Sequence, residues 1–100
     1  MSAREVLEIA TLGGARTLGR SDLGSLEPGK RADFVLWPTD EIGMAGVSDP
    51  VAGLALSGPN RPKDVWVEGR QIVRDAQITT IDLGPALSTH RRLSIGLIEA

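Results

Sequence analysis

His90 is the single histidine of this chain and its first candidate for acid–base or metal chemistry. A hydrolytic metal site needs three or more nitrogen or carboxylate ligands that converge on one ion. The chain has no cysteine, and no acids stand beside His90 at a ligand spacing. A Ser-His-Asp triad is formally possible, but the G-x-S-x-G elbow is absent. We therefore predict that His90 is a packed or surface histidine, with catalysis as the minor alternative.

The segment GARTLGRS, residues 14–21, comes close to a phosphate-binding loop. Arginine stands at residue 20, where that motif has lysine, and a predicted helix rather than a strand precedes the segment. We therefore interpret it as a helix terminus followed by a turn.

Acidic side chains flank the predicted strands and turns, and any two could face each other across a cleft, as a glycosidase requires. Nothing in their spacing selects a pair, so solvated strand ends are the simpler interpretation. These acids are Glu27, Asp33, Asp40, Glu41, Asp64 and Glu68.

The basic doublets and the tryptophans offer the remaining candidates. Lys30-Arg31 and Arg91-Arg92 are expected to be exposed charge. Two tryptophans could form a stacking surface, but core packing is favoured in a chain with three aromatic residues. These tryptophans are Trp37 and Trp66. The sequence therefore predicts no catalytic, cofactor-binding or metal-binding residue.

Length and charge narrow the classes of protein. One hundred residues suit one small domain or a piece of a larger one. A net charge of −2 argues against a nucleic-acid partner, which requires a basic face. No apolar run approaches the length that spans a bilayer. Glu5 and Glu8 count against a transit peptide, so a cytoplasmic location is expected.

The N-terminal stretch predicts an amphipathic helix. Ser2 and Glu5 match the capping box. The Gly13-Gly14 pair is expected to loosen or end this helix, with another helical turn over residues 15–18. The apolar residues on one face are Val6, Ile9 and Ala10.

The stretch LGSLEPGKRADFVLW, residues 23–37, predicts a turn followed by a strand. Pro28 and Gly29 suit a type II turn, because proline fixes φ and glycine tolerates positive φ. Residues 32–37 are almost continuously apolar, which predicts a strand that is buried on both faces.

Two further helices are predicted. Residues 38–64 are rich in turns, with one short helix over residues 51–56. Asp49 would cap that helix, and Pro50 would take its first position. A terminal helix is predicted from Leu83, where apolar residues follow helical spacing.

A β-hairpin is predicted in the second half of the chain. Residues 65–67 and 71–73 are typical of paired strands around Glu68-Gly69. Residues 78–81 are a possible last strand.

The segment SAREVLEIATLGGARTLGRSDLGSLEPGKRADFVLW resembles the stretch that follows the catalytic barrel in metal-dependent amidohydrolases. That family has a helix T-x-x-E-A-L-x-x-A-T-x-x-G-A-x-x-L-G, followed by I-G-S-L-E-P-G-K-x-A-D-L-V-L. The segment DPVAGLALSGPNRPKDVWVEGRQIVRD is similar to the family hairpin V-x-x-V-x-V-N-G-R-x-V-x-x-D-G. The likeness covers about residues 2–78. It is strongest to cytosine, guanine, 8-oxoguanine and chlorohydrolase-type deaminases.

The resemblance implies an α+β fold: a small mixed β-sheet belonging to a β-sandwich composite domain, with an N-terminal and a C-terminal helix and no catalytic barrel. Residues 1–19 would form a helix that packs on the missing barrel. Residues 20–82 would supply the β-rich strands and hairpin, and residues 83–100 the C-terminal helix. Leu26 would lie in one strand and residues 32–37 in the next.

The resemblance also implies that the metal ligands lie elsewhere. The family holds zinc or iron with an H-x-H pair, two further histidines and an aspartate on barrel strands. His90 matches none of these positions, so no cofactor is expected in this chain. Two hairpin residues depart from the pattern. Glu68 replaces the usual Asn, and Ala76 replaces a usual Gly at a cost of about 1 kcal/mol if φ there is positive.

The implied function is that of a non-catalytic C-terminal fragment of an amidohydrolase. The parent would hydrolyse a C–N bond of a purine, pyrimidine or triazine ring through a metal-bound hydroxide. This chain alone is expected to be inactive. Its partners would be the missing barrel and the N-terminal strands of the parent chain. We also expect the chain to self-associate, and we expect it to bind neither nucleic acid nor a membrane. The alternative is a free-standing β-rich binding module, which the genomic sequence upstream of Met1 would distinguish.

Overall fold

The computed structural model describes residues 1–58 and 60–100. Along the chain, helices precede the first strand and follow the last strand of a four-stranded antiparallel sheet, and a further short helix precedes the second strand. The α+β class predicted from the sequence is confirmed.

The first helix begins at the predicted cap. Ser2 Oγ accepts a hydrogen bond from the Glu5 N–H at 3.2 Å, and the Ser2 N–H donates to the Glu5 carboxylate at 3.2 Å. These two bonds complete the capping box. The helix then runs through α1 (Ala3–Glu8), a π-helical stretch (Ile9–Gly13) and α2 (Gly14–Thr17).

The glycine pair does not end this helix. Gly13 and Gly14 keep right-handed helical angles, with φ of −62° and −61°. The predicted loosening takes the form of the π stretch, in which the Gly14 N–H donates to the Ile9 carbonyl five residues back. The helix ends in a Schellman motif, closed by the N–H groups of Gly19 and Arg20 at 2.9 Å from their carbonyl acceptors.

Residues 19–31, here called the strap, contain turns and no strand. The strand predicted at Leu26 is therefore wrong, and that side chain is 73% exposed. The strap folds back on itself instead, because the Arg31 N–H donates to the Asp22 carbonyl at 2.9 Å.

The predicted type II turn is present within the strap. The Lys30 N–H donates to the Glu27 carbonyl at 3.1 Å, and Gly29 has a φ of +87°. Glycine is needed at that position because a positive φ brings a Cβ into conflict with the backbone.

The sheet has the order β1-β2-β3-β4, and its neighbours pair in antiparallel fashion only. A mixed sheet was predicted. A parallel pair needs a long crossover, whereas the last three strands are joined by two-residue turns. The described residues form this single open sheet, without the second layer of a sandwich. The strands are β1 (Phe34–Leu36), β2 (Asp64–Val67), β3 (Arg70–Arg74) and β4 (Gln77–Ile78).

Strand β1 is shorter and less covered than predicted. Its register pairs Phe34 with Trp66, and the two rings stack with centroids 4.6 Å apart. Leu36, however, is 48% exposed. Burial on both faces is therefore wrong for this chain, because the described residues provide no layer against the outer face.

The hairpin is confirmed, and its strands extend slightly beyond the predicted ends. Glu68 and Gly69 both have positive φ, as a type I′ turn requires. A second such turn follows at Asp75-Ala76, where Ala76 has a φ of +62°. Ala76 thus has the positive φ for which the sequence predicted a cost of about 1 kcal/mol relative to glycine.

The last strand is only two residues long. The predicted strand over residues 78–81 is wrong beyond Ile78. The Thr79 N–H still donates to the Ile72 carbonyl at 2.9 Å, and the chain then leaves the sheet.

The short helix α3 (Pro50–Leu56) is confirmed with its cap, since Asp49 accepts a hydrogen bond from the Val51 N–H at 3.0 Å. Its middle residue, Gly53, is buried against Met44 of a 3₁₀ turn (Ile42–Met44). A Cβ at Gly53 would lie 2.7 Å from both Met44 Sδ and Met44 Cε.

The buried apolar core of the described chain is small. Ala15 and Met44 are its buried apolar side chains. The terminal helix α4 (Leu83–Glu99) begins at Leu83 as predicted and contains no buried residue. No helix among the described residues combines the length and apolarity needed to cross a membrane.

Candidate functional site

An open groove of about 1040 Å³ is present in the described chain. The first helix, the strap, β1 and α3 form its walls. Asp33 is its one charged lining residue among the described positions. The apolar residues that define it include Val6, Ala10, Leu23, Val35, Trp37 and Leu54. An exposed apolar groove is a candidate interaction surface.

The strap forms one wall because it approaches the first helix at backbone distance. Gly24 has a φ of +92°, and a Cβ there would lie 3.0 Å from Leu12 Cα and 3.0 Å from the Thr11 carbonyl oxygen. Only glycine combines that conformation with that approach.

The opposite wall is fixed by the end of α3. The Asn60 side-chain amide donates to the Ser57 carbonyl at 2.7 Å and to the Leu54 carbonyl at 3.3 Å. These bonds satisfy carbonyls that the last helical turn leaves without intrahelical partners.

A chain of charged groups links the strap to the hairpin. The Arg20 guanidinium binds both Asp22 carboxylate oxygens, at 2.9 and 2.8 Å. Arg31 Nε donates to Asp22 at 3.1 Å, and Arg31 Nη1 donates to Glu68 at 3.2 Å. The Glu68 N–H donates to Asp33 Oδ1 at 2.6 Å. The hairpin turn is thereby held beside the groove.

These contacts hold the pKa of the Asp22 carboxyl well below its ordinary value. The largest cause is the hydrogen bond from Arg20, followed by that from Arg31. The carboxylate form is favoured because both donors are cations.

A second polar cluster lies at the type II turn. Lys30 Nζ donates to Ser25 Oγ at 2.6 Å and lies 2.9 Å from the Glu27 carboxylate. The Ser25 hydroxyl donates to Glu27, and this bond, followed by the one from Lys30, lowers the pKa of that carboxyl. The Lys30 side chain is only 20% exposed, so the prediction of exposed charge is wrong there.

The remaining predicted candidates are dispersed over the structure. His90 is exposed on α4. Residues 14–21 form a helix end and a turn, as predicted, with no strand before them. Asp40 and Glu41 line a smaller polar depression. Asp64 Oδ1 accepts hydrogen bonds from Gln71 Nε2 and the Asp75 N–H, both at 3.1 Å.

The tryptophans differ from their predicted role in the core. Trp66 is half-buried and stacks on Phe34. Trp37 lines the groove and is 38% exposed, so its predicted core position is wrong within this chain.

The donor set does not fit a metal site. Across residues 1–58 and 60–100, no three His, Cys, Asp or Glu side chains are grouped so that they could hold an ion. We therefore derive no catalytic step through a metal in this chain.

Comparison with known proteins places these features in a family. Residues 1–72 match the amidohydrolase family. The chain belongs to the amidohydrolase family. It is 42% identical over 89 residues to an 8-oxoguanine deaminase from Pseudomonas aeruginosa, which covers 89% of this chain and 20% of that protein. It is also 39% identical over 97 residues to a 5-methylthioadenosine/S-adenosylhomocysteine deaminase from Desulforudis audaxviator. That alignment covers 95% of this amidohydrolase chain and 23% of the deaminase.

Solved amidohydrolase structures share the fold. An atrazine chlorohydrolase from Arthrobacter aurescens, complexed with zinc, superposes with a TM-score of 0.83 at 40% identity, covering 92% of this chain and 20% of that one. An adenosine deaminase from Xanthomonas campestris with bound zinc has a TM-score of 0.85 at 27% identity, covering 99% and 23%. The predicted resemblance to the deaminase branch is confirmed.

The chain spans about a fifth of the length of the curated relatives that it matches. Sequence reasoning found the family but missed the groove. The groove joins segments far apart in sequence, and its only sequence signal is the pair of apolar faces predicted for the first helix and for β1.

Proposed function

We propose that this chain is a non-catalytic segment of an amidohydrolase whose complete protein deaminates a purine, pyrimidine or triazine ring. The names of the relatives support this class of substrate, since they include deaminases of 8-oxoguanine and of adenosine derivatives and a triazine-type hydrolase. The zinc of two structural relatives supports a metal in the complete enzyme, held by residues outside this chain.

The observation that carries the proposal is the amount of surface that the chain leaves uncovered. Its accessible surface is 7678 Å² and its radius of gyration is 17.2 Å. A compact protein of this mass exposes about 5,500 Å², and a compact domain of this length has a radius of gyration of about 13 Å. If this difference of about 2,200 Å² were one side of an interface, the two sides together would bury about 4,400 Å², which is within the range of obligate interfaces.

The proposed role is that of a scaffold. The groove and the first helix would pack against the rest of the amidohydrolase, and the sheet would pair with its N-terminal strands. The division into residues 1–19, 20–82 and 83–100 follows from this role. A cytoplasmic location and the lack of nucleic-acid and membrane partners stay predictions.

A chimera tests the scaffold role. The matching segment of the Pseudomonas 8-oxoguanine deaminase is replaced by this chain, and zinc content and ammonia release are measured. We expect both to be retained. A matched chimera with Val6→Asp in the groove should lose soluble enzyme, whereas one with Ile42→Asp, at a 96% exposed side chain, should not.

The isolated chain provides a negative control for the chimera. Metal analysis after dialysis, together with ammonia release from guanine, 8-oxoguanine and cytosine, should give blank values. Turnover by the isolated chain would overturn the proposal. A chimera that is folded but inactive would favour the alternative of a free-standing binding module.

A further inference from the structure

The first turn of the hairpin holds the short segment that joins the strap to β1. The Gly69 N–H donates to the Ala32 carbonyl at 3.0 Å, and the Glu68 N–H donates to Asp33 Oδ1 at 2.6 Å. The Glu68 carboxylate also accepts a hydrogen bond from Arg31 Nη1 at 3.2 Å. Three successive residues are thus bound to one turn, and the Arg31–Glu68 pair joins positions 37 residues apart in sequence.

Arg31 also closes the strap on its other side. Its N–H donates to the Asp22 carbonyl at 2.9 Å, and its Nε donates to the Asp22 carboxylate at 3.1 Å. One residue therefore joins both ends of the strap to each other and joins the strap to the hairpin turn. Between these ends lie residues that form one wall of the groove, namely Leu23, Gly24 and Ser25.

Glu68 has a backbone conformation that glutamate disfavours. Its φ is +51° at the first central position of a type I′ turn, where asparagine adopts positive φ more readily. The second turn also has an acid at this position, since Asp75 has a φ of +48°. Asp75, however, forms no salt bridge with the described residues. An asparagine at residue 68 would suit the turn and would remove the charge that binds Arg31.

We propose that Arg31 is a clasp through which the hairpin turn keeps the strap closed against the first helix. The strap opens more often when the Arg31–Glu68 bond is lost, while the hairpin itself stays folded. The two side chains are 50% and 62% exposed, so the pair is weak and opens readily. The inference goes beyond the scaffold role, because it concerns how one wall of the groove is held and not what the complete amidohydrolase does.

Amide hydrogen exchange of the chain, followed by NMR, tests the clasp. Glu68→Gln removes the charge and keeps the length of the side chain. It should speed exchange of the Arg31 amide by about twofold to fivefold, the range expected for an exposed pair. The Ala76 N–H donates to the Lys63 carbonyl at 2.8 Å, at the other end of the hairpin. Its exchange rate should not change.

Glu68→Asn gives a sharper test, because two amides should respond in opposite directions. The Arg31 amide should again exchange faster. The Arg70 amide, opposite Val67 in the hairpin register, should exchange more slowly because the turn is stabilised. Asp75→Asn is the matched control, since it improves the second turn in the same way and should leave exchange of the Arg31 amide unchanged.

The dependence on charge is tested by the second partner and by salt. In an Arg31→Gln background, Glu68→Gln should have no further effect on exchange of the amide at residue 31. In about 1 M NaCl, the ratio of exchange rates between the Glu68→Gln chain and the unmodified chain should fall towards one, because exposed ion pairs are screened.

Unchanged exchange of the Arg31 amide in the Glu68→Gln chain would overturn the inference. So would equal acceleration at Arg31 and Ala76, which would mean that the strap opens only when the whole chain unfolds. A further effect of Glu68→Gln in the Arg31→Gln background would exclude Arg31 as the partner. These measurements involve neither zinc nor ammonia release, so this inference and the proposed function fail separately.

Discussion

Two regions of the molecule differ in how they are stabilised. One is the strap together with the hairpin, and the other is the terminal helix α4. The strap and hairpin are closed by their own polar contacts, from the Arg20–Asp22 pair through Arg31 to Glu68. Helix α4 has a regular backbone but no buried side chain. The polar groups of turns find hydrogen-bond partners in neighbouring segments, whereas an apolar face is stabilised only when another surface covers it.

The largest expected loss of stability is at Gly24, where the strap comes closest to the first helix. Gly24→Ala should lower the free energy of unfolding by about 3 kcal/mol, because a positive φ and a clash with helix backbone act together. Gly29→Ala shares the positive φ but meets nothing within 4 Å, so about 1 kcal/mol is expected. Urea unfolding followed by tryptophan fluorescence measures both. Equal losses would mean that the strap lies further from the helix.

A smaller effect is expected where the hairpin turn joins β1. Asp33→Ala should cost about 1.5 kcal/mol, because the Glu68 N–H loses a charged acceptor. Asp40→Ala, at a loop acid, should stay within about 0.5 kcal/mol. The same unfolding measurement applies. Similar values for the two variants would show that the turn is not held by Asp33.

The second hairpin turn offers a gain instead of a loss. Ala76→Gly should stabilise the chain by about 0.5–1 kcal/mol, because Ala76 has a positive φ that glycine adopts without strain. Ala52→Gly in α3 makes the same chemical change at a helical position and should destabilise by about 1 kcal/mol. Changes of the same sign would contradict the assigned turn conformation.

The smallest effect sharpens the electrostatic side of the comparison. The folded chain keeps Asp22 ionised below its ordinary pKa of 3.8. The stability from this group is therefore complete above about pH 4 and is lost as pH falls below that value. The stability difference between the chain and its Asp22→Asn variant should shrink from pH 7 to pH 3. A constant difference in urea midpoints would mean that the ion pairs contribute nothing, as many exposed pairs do.

Local elements were predictable because their causes are local. The Ser2 capping box, the Asp49 cap, the turn at Gly29 and the hairpin at Glu68-Gly69 each depend on a few adjacent residues. The family pattern was readable for the same reason. Leu26 and residues 79–81 were predicted as strands, but a strand needs a continuous ladder of hydrogen bonds. Within the described chain Leu26 has no such ladder, and the pairing of β3 and β4 ends with the bond from the Thr79 N–H to the Ile72 carbonyl.

The sequence by itself determined the family, the α+β class, the helix caps, the type II turn and the hairpin, because these are properties of short segments. Only the tertiary structure revealed the groove, the ion-pair chain from Arg20 to Glu68, and the exposure of Trp37 and α4. These depend on which distant surfaces meet. A pattern of apolar residues shows that a face must be covered, and only the packed chain shows which faces are still uncovered.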